Sequence, residues 1–312
     1  MTKLVTSFEW RFLKPGFWGT WVGLALLWLF SFLPRWLYHP LAGGLGLLAM
    51  RLNKKRCRIA QTNLELCLPQ LSTEEREKLL HDNFRLAGIC LLDLGVLWLR
   101  GSRRLEKHFR IEGVEHLEAA RTSGRPIILL TGHTMALDHG AMALAIQYAA
   151  QGVKAVSMYK PQKNDLIAWL MYRSRTHLGV SIYAREEGLR PVVRDVRKGA
   201  AFYYLPDEDL GPEESIFVPF FGVQKATVPA LGTLARLTDA HVIPCIAHYD
   251  EQEASYVVRA LPPMADYPTG DREEDARLMN EALERMILLD PKQYMWVYKL
   301  FKTRPEGEEA FY

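Results

Sequence analysis

Two regimes of hydrophobic and polar patterning divide the chain. From Pro15 to Pro34 no charged residue occurs, and the run Phe17 to Phe30 is almost wholly apolar. About 20 such residues are enough to cross a bilayer core. Tryptophans at 18, 21, 28 and 36 suit the two interfaces. No small-x-small cleavage site follows, so the run is expected to be an uncleaved anchor rather than a signal peptide. A second apolar run, Leu41 to Met50, is too short to span and carries three glycines. It is expected to lie in the membrane interface or to fold onto the globular part.

Residues 59–99 have a helical pattern, with Ser72-Thr73-Glu74-Glu75 supplying a capping residue and early acids. Past Arg100 the pattern changes to short apolar runs alternating with amphipathic stretches. Strands are predicted at Phe109 to Ile111, Ile127 to Leu130, Val153 to Met158, Val180 to Tyr183, Ala200 to Leu205 and Ile216 to Phe220. Two more, His241 to His248 and Ser255 to Ala260, follow one another without a helix between them. Helices are predicted at Val114 to Thr122, Asp138 to Gln151, Asp165 to His177, Gly188 to Lys198, Pro229 to Leu237 and Glu273 to Leu289. Such alternation predicts an α/β fold with a mixed, largely parallel sheet flanked by helices. The last two strands are expected to form an antiparallel edge. The chain has no internal repeat, low-complexity tract or Ser/Gly-rich linker. The expected organisation is an N-terminal anchor and interfacial segment, 1–50, followed by one α/β domain, 51–312.

Composition narrows the class. The 312 residues are nearly half apolar and carry a net charge of only +3, which does not suggest a nucleic-acid partner. The four cysteines, Cys57, Cys67, Cys90 and Cys245, lack metal-type spacing and read as reduced thiols. Placement of charge matters more than the total. The cluster Arg51, Lys54, Lys55, Arg56, Arg58 is denser than Lys3, Arg11 and Lys14 ahead of the anchor. The positive-inside tendency then puts the large C-terminal part in the cytoplasm.

The chemistry concentrates after the buried strand that ends at Leu130. His133 and Asp138 stand five residues apart, which inside one helix would separate them by about 140°. They can cooperate only if His133 lies on the loop and Asp138 in the first helical turn. A loop histidine oriented by a carboxylate is a general base; the plainer alternative is that Asp138 caps its helix. A second loop, Pro206-Asp207-Glu208-Asp209-Leu210-Gly211, also follows a strand end, so the two loops could face each other. Its three acids are suited to binding a metal, orienting a base or forming a solvated turn. Ser215 to Gly222 is an unusually aromatic strand closed by glycine, fit for an acyl pocket or for the core. Lys160 and Lys163 are placed to meet phosphate or an acidic partner. Arg173, Arg175, Arg185, Arg190, Arg194, Arg197 and Lys198 form a dense cationic region suited to an acidic protein or a phosphorylated, membrane-borne substrate. There is no Gly-x-Ser-x-Gly elbow, P-loop or Gly-x-Gly-x-x-Gly, and His133, Asp138 and His139 match no common zinc spacing. With a base and no nucleophile, the simplest chemistry is activation of a substrate hydroxyl.

Several segments together resemble the membrane-bound late acyltransferases of lipid A biosynthesis, the lauroyl/myristoyl type. They are His-x4-Asp at 133–138, Asn63-Leu64-Glu65-Leu66-Cys67, Tyr159-Lys160-Pro161 with Asn164, and Asp207-Glu208-Asp209-x-Gly211. Phe217 to Gly222, Tyr294-Met295-Trp296-Val297-Tyr298, Phe301 to Pro305 and the lead-in Glu9-Trp10-Arg11-Phe12 complete the set. The family often has arginine at the position of Lys160 and glutamate at that of Asp93. The resemblance implies a glycerolipid-acyltransferase-like fold at the cytoplasmic face of the Gram-negative inner membrane. It implies transfer of an acyl group from acyl-carrier protein to the hydroxyl of a 3-hydroxyacyl chain on a lipid A precursor such as Kdo2-lipid IVA. His133 would be the base, Asp138 would hold its tautomer, and Lys160, Asn164, Arg185, Asp207 and Asp209 would bind substrate. The thioester is already activated, so no metal or cofactor is implied. The carrier protein is acidic, so the cations at 51–58 or 173–198 are its expected dock. The nearest competing reading is a lysophosphatidate-type glycerolipid acyltransferase; its Pro-Glu-Gly-Thr-Arg-like block is replaced here by Pro-Asp-Glu-Asp-Leu-Gly. A thioester hydrolase and a non-catalytic membrane scaffold are more distant alternatives.

Overall fold

A computed structural model describes residues 5–160 and 162–312. Lys3 and Pro161, used above, lie outside the described residues. Four helices come first: α1 (Trp18–Phe30), α2 (Arg35–Leu52), α3 (Lys54–Cys67) and α4 (Thr73–Arg100). Ser72 and Glu75 close a reciprocal capping box at the start of α4, as the sequence signature requires. The α/β part follows as β1 (Phe109–Glu112), α5 (Val114–Thr122), β2 (Ile127–Leu130), α6 (Leu137–Ala150), β3 (Ala155–Tyr159), α7 (Asp165–Thr176) and β4 (Ser181–Ala184). It continues with α8 (Arg190–Arg197), β5 (Ala201–Tyr204), β6 (Ile216–Phe220), β7 (Val223–Thr227), α9 (Leu231–Thr238), β8 (His241–Asp250), β9 (Ser255–Ala260) and α10 (Arg272–Leu289).

Seven strands form one sheet in the order β1-β9-β8-β2-β5-β3-β4. All neighbours run parallel except β8 and β9. The antiparallel pair is therefore internal, not at the edge as expected, because β1 adds outside β9. The length of β8 allows this. Its first half, His241 to Pro244, pairs with β2, and its second half, Cys245 to Asp250, pairs with β9. Strands β6 and β7 make a separate hairpin. Its turn, Phe221-Gly222, has φ of 51° and 76°. Two consecutive positive φ values are what a tight hairpin turn demands, and glycine meets the second without strain.

Side chains on β2 show how the core is arranged. Ile128 and Leu130 point into an apolar cluster with α3, α8, α9 and α10, whereas Ile127 and Leu129 point into another with α2, α4, α5 and α6. Successive residues of a strand face opposite sides. A strand covered by helices on both sides therefore carries a continuous apolar run. Burying each such side chain contributes roughly 1.5–3 kcal/mol, so β2 is a rigid platform for whatever follows Leu130.

The N-terminal apolar region differs from expectation. It is not one long helix: α1 ends at Phe30, and α2 begins only after Pro34. Thirteen residues span about 20 Å against a hydrocarbon core of about 30 Å. Among the described residues no helix is long and apolar enough to cross a membrane. The glycine-rich run lies within α2, which packs along α4. A Cβ added at Gly46 would sit 2.1 Å from the Phe84 carbonyl oxygen, and one at Gly88 would sit 2.1 Å from that of Ala42. The two backbones touch because neither residue has a side chain there. The Leu27 side chain of α1 lies over Gly95, where an added Cβ would meet the Leu27 Cβ at 3.1 Å. The outer surface of this layer stays apolar, with Trp10, Trp18, Val22, Trp36 and Leu52 all exposed.

Candidate active site

His133 and Asp207 meet because of sheet register. Strands β2 and β5 are parallel neighbours, and Leu130 is the register partner of Tyr204. Each functional residue stands three positions past its strand's last residue, on the side where open α/β sheets place their sites. The Thr131 amide donates to the Tyr204 carbonyl at 3.0 Å, extending the pairing one step. The segment 291–298 then holds the loop from outside. The Met135 amide donates to the Gln293 carbonyl at 2.8 Å, and the Met295 amide to the His133 carbonyl at 2.9 Å.

The Asp207 carboxylate is 2 % exposed and is held by several donors. Its Oδ1 lies 2.6 Å from His133 Nδ1, and its Oδ2 accepts from the His133 amide at 2.7 Å and from the Tyr294 hydroxyl at 2.9 Å. Burial would favour protonated Asp207, but the charge and hydrogen bonds of His133 and the Tyr294 hydroxyl hold it well below the usual carboxylate range. Burial also disfavours the imidazolium of His133. The Asp207 charge and hydrogen bond, with a smaller contribution from Glu208, outweigh it and raise the His133 pKa above its ordinary value. With Nδ1 engaged, Nε2 is the nitrogen left for chemistry; it lies 3.8 Å from Glu208 Oε1. The Tyr298 ring meets the imidazole edge to face at 5.3 Å.

His133 opens on a cavity of about 610 Å³ that runs between α6, α7 and the ends of β3, β4 and β5. That is within the usual size of a small-ligand pocket. Much of its lining is apolar, including Leu97, Leu129, Leu144, Val156 and Ile182. Its polar lining includes Lys160, Arg175, Arg185, Glu208 and Tyr298.

The residues singled out from sequence divide among different tasks. His133 lies on the loop and Asp138 in the first turn of α6. The bond expected from Asp138 to the imidazole is made by Asp207 instead. Asp138 Oδ1 pairs with Arg175 Nε at 2.7 Å, and Arg175, against the effect of burial, holds Asp138 below its usual pKa. The helix turn that begins at Leu137 carries Asp138 toward α7, and Asp207 takes the place beside Nδ1. Both Asp138 and Arg175 line the cavity. Lys160 is an exposed cation in its lining, and Arg185 pairs there with Glu208 at 2.7 Å. Asn164 and Asp209 are outside the cavity lining. Asn164 caps α7 through the Leu166 and Ile167 amides and donates to Thr20 of α1 at 2.8 Å. Asp209 accepts from the Thr303 amide and hydroxyl at 2.6 and 2.8 Å, tying down the C-terminal segment. Sequence reasoning assigned no role to Arg175 beyond a dense cationic region, and none to Tyr294 beyond an aromatic motif. Only the tertiary fold shows that each bears on a site carboxylate.

Fold and site define a class: an α/β enzyme with a His–Asp pair, its aspartate buried, beside a largely apolar pocket. A family model described as "Bacterial lipid A biosynthesis acyltransferase" matches residues 5–303. The chain is 38 % identical to a lipid A biosynthesis acyltransferase of Haemophilus influenzae, over 97 % of this chain and 94 % of that protein. It is 36 % identical to the lipid A biosynthesis lauroyltransferase of Escherichia coli K12, covering all of both chains, and 36 % identical to the palmitoleoyltransferase of the same strain, over 98 % of each. The protein belongs to the bacterial lipid A biosynthesis acyltransferases. Relatives named for lauroyl and for palmitoleoyl transfer are equally similar to it, so identity does not select an acyl chain.

Proposed function

We propose that this acyltransferase moves a fatty acyl group from the thioester of acyl-carrier protein to the hydroxyl of a 3-hydroxyacyl chain on a lipid A precursor of the Kdo2-lipid IVA kind. The observation that carries the reading is the 2.6 Å His133–Asp207 contact beside a largely apolar pocket. Nε2 of neutral His133 takes the hydroxyl proton as that oxygen attacks the thioester carbonyl. Asp207 fixes the tautomer with the proton on Nδ1 and stabilises the imidazolium that forms. The tetrahedral intermediate collapses, the C–S bond breaks, and the carrier thiolate recovers the proton. The apolar lining suits a fatty chain, and Arg185 and Lys160 suit the anionic groups of the acceptor. The His133 amide is already bonded to Asp207, which removes it as an oxyanion donor. Asp138 acts at one remove, fixing Arg175 in the cavity wall.

The exposed tryptophans and leucines of the α1–α2 layer support seating at a membrane interface, where both amphiphilic substrates reside. In this reading the layer lies in the inner membrane's cytoplasmic face without crossing it. His133→Ala is expected to keep the fold and vesicle binding and to lower transfer by about 10²–10⁴-fold. The assay is purified protein with acyl-carrier thioester and precursor, products weighed by mass spectrometry. Turnover close to wild type would contradict the assignment.

A further inference from the structure

The cationic region 173–198 does not act as one patch. Arg175 and Arg185 turn inward to Asp138 and Glu208, and Arg173 lies over the Trp169 ring. The remainder project outward around a separate open groove of about 840 Å³ between α8 and α9. Its floor is apolar, including Val193, Leu234 and Leu237. Its rim carries Arg190, Arg194, Arg197, Lys198 and Arg272, all exposed, against one carboxylate, Glu214. Among the described residues Arg190, Lys198 and Arg272 form no ion pair, whereas Arg194 pairs with Asp195. Arg197 donates to the Leu237 carbonyl at 2.8 Å.

The groove adjoins the cavity on which His133 opens. Leu189, Glu214, Val228 and Ala230 line both. It also lies on the far side of the sheet from the apolar surface layer. Val192 and Val196 of α8 belong to one core cluster, and Tyr38 and Ala42 of α2 to the other. None of its lining residues is aromatic, unlike the tryptophan-bearing α1–α2 surface.

We propose that this groove is the docking surface for an acidic carrier protein, which lays an acid-flanked apolar helix face into it and passes its acyl thioester through the shared wall toward His133. The proposal rests on the acyl-carrier reading of the donor. Charge complementarity identifies the partner, since unpaired cations around an apolar floor attract a strongly acidic protein and speed its encounter. The wall shared with the cavity supplies the reason for such a partner to dock there. An acceptor held at the membrane-facing layer would then approach from the other side, so that the two substrates do not compete for one entrance.

The test is the triple variant Arg190→Glu, Lys198→Glu and Arg272→Glu in the full chain. All three side chains are exposed, and Arg190 and Arg272 are first residues of helices, where an acid is well tolerated. Kinetics are measured with acyl-carrier protein and with acyl-coenzyme A as donors, beside binding to anionic vesicles. The expected result is a KM for acyl-carrier protein raised at least about tenfold at low salt, with kcat, coenzyme A turnover and vesicle binding retained. An unchanged KM overturns the proposal. So does an equal loss with both donors, which would mark a structural effect, and so does lost vesicle binding with unchanged carrier KM, which would make the groove a lipid surface. Wild-type protein that accepts coenzyme A but never the carrier would overturn the donor reading itself, and the dock with it.

Discussion

Two buried aspartates in this molecule have nearly the same surroundings and different consequences. Asp93, on α4, is fully buried and receives Arg35 at 2.7 Å, the Tyr256 hydroxyl at 2.7 Å, His39 at 3.3 Å and the Tyr38 hydroxyl. Asp207 is as buried and receives an imidazole, a backbone amide and a tyrosine hydroxyl. Despite burial, their partners hold both carboxylates below the usual range. The nearest cation to Asp93 is a guanidinium that never loses its proton, and neither Asp93 nor His39 lines the cavity on which His133 opens. Its network clamps α2 to α4 and to β9. Asp207 is paired with a group that can lose and regain a proton, and that group opens on the cavity. Burial and hydrogen bonding are thus common to a brace and to the proposed catalytic pair; a titratable partner that opens on a substrate-sized cavity distinguishes the latter.

Asp207→Asn should give the largest effect, lowering kcat by about 10²–10⁴-fold with the fold intact by circular dichroism. If Asp207 were only a brace like Asp93, stability would fall and turnover would not. Asp93→Asn should do the reverse. Leaving Arg35 uncompensated in the interior costs about 3–5 kcal/mol by urea unfolding, with kcat near wild type at low temperature. A kcat loss as large as that of Asp207→Asn would erase the distinction. Smallest is Asn164→Ala, expected to cost about 1 kcal/mol through the lost α7 cap. Its KM for the lipid acceptor should not change; a raised KM would return Asn164 to the substrate-binding set.

The same contrast explains what the sequence could reveal. The alternation of apolar runs located β2, the loop at His133 and the start of α6 almost to the residue, because β2 is buried on both faces and α6 follows at once. It missed β7, whose Val-Gln-Lys-Ala-Thr buries a lysine, Lys225, that no pattern rule places inside. Pairing His133 with Asp138 was the natural local choice, five residues apart. The actual partner is 74 residues away and depends on β2 and β5 being sheet neighbours in one register, which periodicity does not encode. The run Phe17 to Phe30 has the apolar content of a membrane anchor, and the expectation that it spans the bilayer fails on length. The helix stops at Phe30, and α2 then packs along α4, where Gly46 and Gly88 admit the close approach.

The central claim, that Asp207 sets the basicity of His133, is tested most directly by the pH dependence of kcat/KM for wild type, Asp207→Asn and Asp138→Asn. A general base must be neutral, and the Asp207 charge raises the His133 pKa, so the acid limb of the wild-type enzyme should fall above the ordinary histidine value of about 6.5. Without that charge, burial dominates and stabilises neutral imidazole, so the limb of Asp207→Asn should move to lower pH while its plateau drops. Asp138→Asn should keep the wild-type limb. A limb that moves with Asp138→Asn and stays fixed with Asp207→Asn would contradict the account.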